Sequence, residues 1–149
     1  MSKKRMINTR FWSDNWIVEL DPLERYLFLY LMTNEHTEMS GIYEISLTVM
    51  ARETGLDAQK TLPTLLNRLE PKIHYFDGWI YIPKFLNHQQ INPNIEKGLI
   101  HSLKNIPTNI KNKIETDGIE SERLSKAFKG LSNGSKGFEK SESKSKLET

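Results

Sequence analysis

The sequence predicts an α+β, mainly α, fold: a winged helix-turn-helix with a C-terminal helical extension and a disordered tail. Three observations predict it. Two helix-forming segments, "LTVMARETG" and "LDAQKTLPTLLNRLEP", follow each other across Gly55. Two short alternating runs, "KIHYF" and "WIYIP", come next and are joined by Asp77-Gly78. Near residue 117 the composition shifts to Ser, Lys and Gly. Helix, turn, helix and hairpin in that order make a helix-turn-helix with a wing. The expected organisation is a winged-helix domain over 1–90, a helical extension over 91–116 packing on or extending from it, and a disordered tail over 117–149.

The elements follow from local chemistry. In "FWSDNWIVEL", Ser13 and Asp14 can cap a short helical turn that brings Phe11, Trp12 and Trp16 onto the core. Asp21 then reads as an N-cap, with Pro22 at the first helical position and Glu24 three residues after the cap. This starts a central helix from Pro22 to about Thr33. Apolar residues cover most of its faces, from Leu23 and Tyr26 through Leu31, which implies burial all round. "SGIYEIS" supplies a short strand, and Ser46 caps a helix that stops at Gly55. Leu62, Leu65, Leu66 and Leu69 form the apolar stripe of the next helix, with Asp57 as its cap. Pro63 would cost ~3 kcal/mol in a helix interior. Residues 57–61 are therefore expected to form a loose first turn before a regular helix beginning at Pro63; a kinked helix is the alternative.

Asp77-Gly78 suits a type I′ turn, whose two central residues both need positive φ. The strands would be Ile73 to Phe76 and Trp79 to Ile82, ended by Pro83, with Trp79, Tyr81 and Ile82 serving mainly the core. Asn92 and Pro93 start a helix to about Asn105, and Pro107 and Thr108 break the chain before a short helix from Asn109 to about Glu115. Residues 117–149 hold seven Ser, six Lys and four Gly in 33 positions, too little apolar surface to offset the entropy of ordering. Within them "ERLSKAFKGL" spaces Leu124, Phe128 and Leu131 by four and three, the pattern of a transient amphipathic helix able to dock on a partner.

Composition narrows the function. The absence of cysteine excludes disulfides and thiolate metal sites and is compatible with a reducing cytosol, so a cytoplasmic setting is expected. "MSKKRMINTR" places Asn8, Thr9 and Arg10 where a signal peptide needs apolar residues. The longest apolar run, "YLFLYLM", is seven residues, against about 20 needed to span a bilayer, so no membrane partner is expected. His36, His74, His88 and His101 lack the spacing of a helical metal site. "SNGSKG" lacks the strand and helix that flank a phosphate-binding loop. No catalytic residue, metal or cofactor is expected.

Net charge is +2, but residues 1–90 carry ten Lys and Arg against eleven Asp and Glu, a net of −1. Nucleic-acid binding must then come from local clustering. With its leucine stripe inward, the helix after Asp57 turns Gln59, Lys60, Thr64, Asn67 and Arg68 outward, donor-rich types suited to base edges and phosphates. Lys60 and Arg68 would meet phosphate or guanine, and Asn67 adenine. Lys72 and His74 are the plausible wing contacts, because the acid at the tip, Asp77, opposes deep insertion. Lys3, Lys4, Arg5 and Arg10 would form a basic arm that neutralises phosphates. Exposed helix faces are polar in most proteins, so the same residues equally describe a solvated surface.

"FWSDNWIVELDPLERYLFLYLMTNEHTEMSGIYEIS" followed by "GWIYIPKFLNHQQINPNIEKGLIHSLKNIP" resembles the N-terminal winged-helix domain of phage replisome organisers, the replication initiators of phages and prophages of Gram-positive bacteria, related in domain logic to the primosomal protein DnaD. The resemblance covers roughly residues 8 to 110. It rests on Phe11-Trp12, "DPLERYLFLYL", Ser40-Gly41-Ile42-Tyr43 and "WIYIPKF" running into His88-Gln89. It implies binding to double-stranded origin DNA, self-association into a homo-oligomer, and recruitment of the host helicase or its loader through a C-terminal region. In that family a second domain usually follows, where this chain carries its Ser/Lys tail. Two other readings share the fold: a protein-interaction module without sequence-specific DNA binding, and a transcriptional regulator.

Overall fold

Residues 3–89 and 93–131 are described by the structure, a computed structural model. The fold is α+β and mainly helical, built around one small antiparallel sheet. Asp14 opens the helical part: its carboxylate accepts from the Ile17 amide at 3.2 Å and caps α1, Asn15–Val18. Helix α2 spans Pro22–Thr33, and strand β1 spans Ile42–Glu44. Ser46 Oγ accepts from the Val49 amide at 3.1 Å to start α3, Leu47–Thr54, which stops at Gly55 with φ 79°. Helix α4 is Thr61–Arg68. Strands β2, His74–Phe76, and β3, Trp79–Tyr81, form the expected hairpin. Asp77 and Gly78 both take positive φ, 52° and 81°, as a type I′ turn requires.

The strands lie in the order β1-β3-β2. Tyr43, Ile80 and Tyr75 stand side by side on one face; Ile42, Tyr81 and His74, and Glu44, Trp79 and Phe76, stand on the other. The inner face packs on Leu27 and Leu31 of α2, Met50 of α3 and the leucines of α4. The outer face receives a second core, from Leu86 through Leu99, Leu103, Ile110 and Ile114 to Leu124 and Phe128. It is supplied by α5, Pro93–Lys104, α6, Thr108–Asp117, and a last helix, α7, over 122–131. Gly41 sits at φ 78° under a 3-10 turn, Phe85–His88. A Cβ there would lie 2.6 Å from Phe85 Cβ and 2.8 Å from the Ile82 carbonyl, so only glycine lets β1 approach that turn.

Several expectations need correction. Residues 122–131 are a helix rather than part of a disordered tail: Ser121 Oγ accepts from the Leu124 amide at 3.3 Å, and Leu124, Ala127 and Phe128 are buried. Its apolar stripe finds on the sheet's outer face a partner that local composition does not reveal. Residues 132–149, and the expected Asn92 cap, lie outside the described residues. Helix α2 is not buried all round, since Leu23 is 50% and Tyr26 45% exposed. Sheet and α4 cover one side of α2, while Tyr26 lies at the surface with its hydroxyl donating to the Thr54 carbonyl at 2.8 Å. Trp12, 63% exposed, stays out of the core that Phe11 joins. The capping box at Asp21 and Glu24 does not form, because Arg68 draws both carboxylates to itself. Pro63 is the third residue of α4, inside a first turn whose amides have no intrahelical acceptor, so the helix begins two residues before it.

Candidate nucleic-acid interface

Helix α4 acquires its orientation from both ends. Asp57 Oδ2 accepts from the Lys60 amide at 2.7 Å, and the Asp57 carbonyl accepts from the Leu62 amide at 2.9 Å, closing the turn before the helix. Leu62, Leu65, Leu66 and Leu69 are buried in the inner core. This leaves Gln59, Lys60, Thr64, Asn67 and Arg68 exposed, as the leucine spacing predicts. Four of them, Gln59, Lys60, Thr64 and Asn67, make no side-chain ion pair among the described residues. Their one formal charge is Lys60, and the Thr64 hydroxyl donates back to the Lys60 carbonyl at 2.9 Å.

Arg68, though exposed, is ion-paired. Its guanidinium donates to Glu24 Oε1 at 2.8 Å and Asp21 Oδ2 at 3.3 Å, and the Glu24 carboxylate is almost completely buried. The hydrogen bond to Glu24 holds the Arg68 guanidinium above its ordinary range, with the charges of Glu24 and Asp21 acting in the same direction. This cation ties the end of α4 to the start of α2, and its charge is neutralised before any phosphate approaches.

The wing and arm candidates divide: Arg10 and Lys72 line one groove, while His74 lies on the outer sheet face and Lys3 and Arg5 bond to the body. Lys72 Nζ lies 5.9 Å from the Trp16 ring centroid, on the N-terminal side. His74 stacks on Tyr81 at 5.8 Å, on the sheet face turned toward α5–α7. Arg5 donates to the Thr37 hydroxyl and carbonyl, both at 2.8 Å, and Lys3 to the same carbonyl at 3.3 Å and to Glu38 at 3.5 Å. Gln89 exchanges two hydrogen bonds with the Met6 backbone, at 3.1 and 3.2 Å. The segment from Lys3 to Met6 is thus fastened to the body, with Lys4 exposed, and Arg10 borders a groove described below.

One cation went unforeseen. Lys113 Nζ of α6 sits 4.4 Å from the Phe76 ring centroid, one residue from the hairpin turn. No local signal marks it, because the two residues meet only when the outer helices dock. Among the described residues, Glu35, His36 and Glu53 bring ligand atoms within 4.8 Å of one another. The pair His36 Nε2 to Glu53 Oε2 is 3.1 Å, and Tyr30 donates to Glu53 Oε1 at 2.5 Å. The Tyr30 hydrogen bond, with smaller help from His36, holds the Glu53 carboxyl below its ordinary range, and burial pushes the Tyr30 hydroxyl up. These contacts account for the cluster as a surface ion pair. No helix among the described residues is long and apolar enough to cross a membrane.

No family model, no curated protein and no solved structure matches the chain.

Proposed function

We propose that the chain is a winged-helix domain that binds duplex DNA through the exposed face of α4, as a replication initiator of a phage or prophage acting at origin DNA. The observation that carries the reading is the order α2, β1, α3, α4, β2, β3 around a three-stranded sheet, with Gln59 and Lys60 of the turn before α4, and Thr64 and Asn67 of α4, exposed. That is the arrangement in which a second helix enters the major groove with its amide and cationic side chains on base edges and phosphates. The choice of replication over transcription rests on the sequence resemblance described above, and so do homo-oligomerisation and the host helicase or its loader as partners. Because fold alone does not decide function, the site residues carry the test.

Titration of a phage-origin duplex at several salt concentrations is expected to show affinity falling with salt. Lys60→Ala should reduce the slope of that dependence by about one counterion, and Asn67→Ala should weaken origin more than random duplex. Affinity that ignores salt, or survives both substitutions, overturns the reading.

A second reading, a protein-interaction module, draws support from the exposed Trp12, Val18, Leu23 and Tyr26 on the N-terminal elements and α2. It predicts a concentration-dependent mass in light scattering that Trp12→Ala with Leu23→Ala abolishes. A strict monomer at high micromolar concentration removes self-assembly.

A further inference from the structure

A groove of about 410 Å³ runs between the N-terminal segment, α2 and the residues flanking the hairpin. We propose that it is a binding site for an acidic peptide segment carrying one large apolar side chain. Its volume falls in the range of about 300–1,000 Å³ typical of ligand sites. Phe11, Trp16, Phe28, Met32 and Ile82 give it an apolar floor, and Arg10, Lys72 and Lys84 stand at its border. Among the described residues none of these three cations makes a salt bridge; the ion pairs that form use Lys3, His36 and Arg68 instead. An apolar floor bordered by uncommitted cations suits a ligand with an apolar body and carboxylates beside it.

The ring geometry favours peptide over nucleic acid. Phe11 stacks on Phe28 at 5.8 Å, Trp16 meets Phe28 edge-on at 5.2 Å, and Lys72 lies over the Trp16 ring. These rings are engaged with one another and with Lys72, which disfavours the stacking on which single-stranded nucleic acid depends. Two carboxylates, Asp14 and Glu120, also line the groove and oppose a continuous run of phosphates. Spaced acidic side chains can meet the cations and avoid those two. Asp14 is partly committed in any case, since its Oδ2 accepts from the Ile17 amide. The Gln89 to Met6 hydrogen bonds fasten the N-terminal segment next to one wall, so that the groove exists before a ligand arrives. The site uses none of the α4 face, so substitutions at Lys60 and Asn67 test DNA binding without touching it.

The test is fluorescence anisotropy with the full chain and a fluorescein-labelled decapeptide in which a single Phe is flanked by pairs of Asp. Saturable binding at micromolar concentration is expected, weakened by about tenfold or more when Lys72→Glu and Lys84→Glu are combined, or when the peptide Phe is replaced by Ala. Lys104→Glu, at the distant end of α5, should leave it unchanged. Should the double variant melt early, Arg10→Glu, on an exposed side chain, and the Phe-free peptide decide the matter. Absence of binding up to about 1 mM, indifference to both changes, or displacement of the peptide by oligothymidylate would overturn the proposal.

Discussion

The two faces of the small sheet are built from the same three strands and held in different ways. On the inner face the buried polar groups are paired: Tyr43 donates to the Leu31 carbonyl at 2.6 Å and accepts from Asn34 at 3.0 Å, and Tyr75 donates to the Ile45 carbonyl at 2.8 Å. On the outer face the Tyr81 hydroxyl is buried with no hydrogen-bond partner among the described residues. Burial pushes its pKa up to about 12, with the nearby charges of Glu120 and Asp117 adding to the effect. Hydrogen bonds thus fix where the inner helices sit, whereas the outer helices are held chiefly by apolar contact. A paired polar network demands one geometry, while apolar packing tolerates small slides.

The largest expected effects test whether both faces are real cores. Leu27 and Leu124 are each fully buried, one on either side. Leu27→Ala, enclosed by sheet and helices, should cost about 3–5 kcal/mol, and Leu124→Ala, on a helix held chiefly by apolar contact and able to settle into the space, about 2–3 kcal/mol. Urea midpoints check both. A Leu124→Ala variant as stable as the parent would mean that residues 122–131 do not pack on the sheet, and the comparison would collapse.

Intermediate effects sharpen the contrast in polar pairing. Tyr43→Phe should cost about 1–2 kcal/mol, because Asn34 and the Leu31 carbonyl are left with unmet hydrogen-bonding capacity in the interior. Tyr81→Phe removes a hydroxyl that has no partner, and is expected to be neutral or stabilising by up to about 1 kcal/mol. Equal costs for the two substitutions in thermal melts would show that the outer hydroxyl is satisfied after all.

The smallest effect belongs to the solvent edge of the inner block, where Tyr30 and His36 hold Glu53. A carboxyl whose folded pKa is depressed stabilises above its unfolded pKa, and loses that contribution as pH falls through the folded value. Acid titration below the ordinary carboxylate range should therefore erode parent stability slightly more than that of Glu53→Gln. Solvent screening keeps the difference under about 1 kcal/mol. Identical acid limbs would show that the cluster adds nothing to folding.

Much of this arrangement is written locally. Ser46, Asp14 and Asp57 accept hydrogen bonds from amides three residues ahead, and Gly55 and the Asp77-Gly78 pair take the positive φ their positions require. The leucine stripe of α4 points inward, and its polar face outward, because helical periodicity alone assigns the two. The contacts that local pattern does not show are those with partners far along the chain. Arg68 reaches Asp21 and Glu24, 47 and 44 residues away, and Arg5 reaches Thr37, 32 away. A cation on a polar face looks available for phosphate until the fold supplies a carboxylate.

The outer core shows the same division. Leu124 and Phe128 stand at helical spacing in a segment too polar to order itself, so composition alone assigns them to a solvated tail. Local propensities and hydrogen bonds between near neighbours settle turns, caps and the inward side of each helix, since their energetics involve only a few adjacent residues. Which helix covers which face of the sheet, and which cations are neutralised, follows from burial that exists only once distant segments meet. That is why the exposed α4 face and the amphipathic pattern of 122–131 could be named from the chain alone, and the groove, the Arg68 tie and the sheet face on which that helix docks could not.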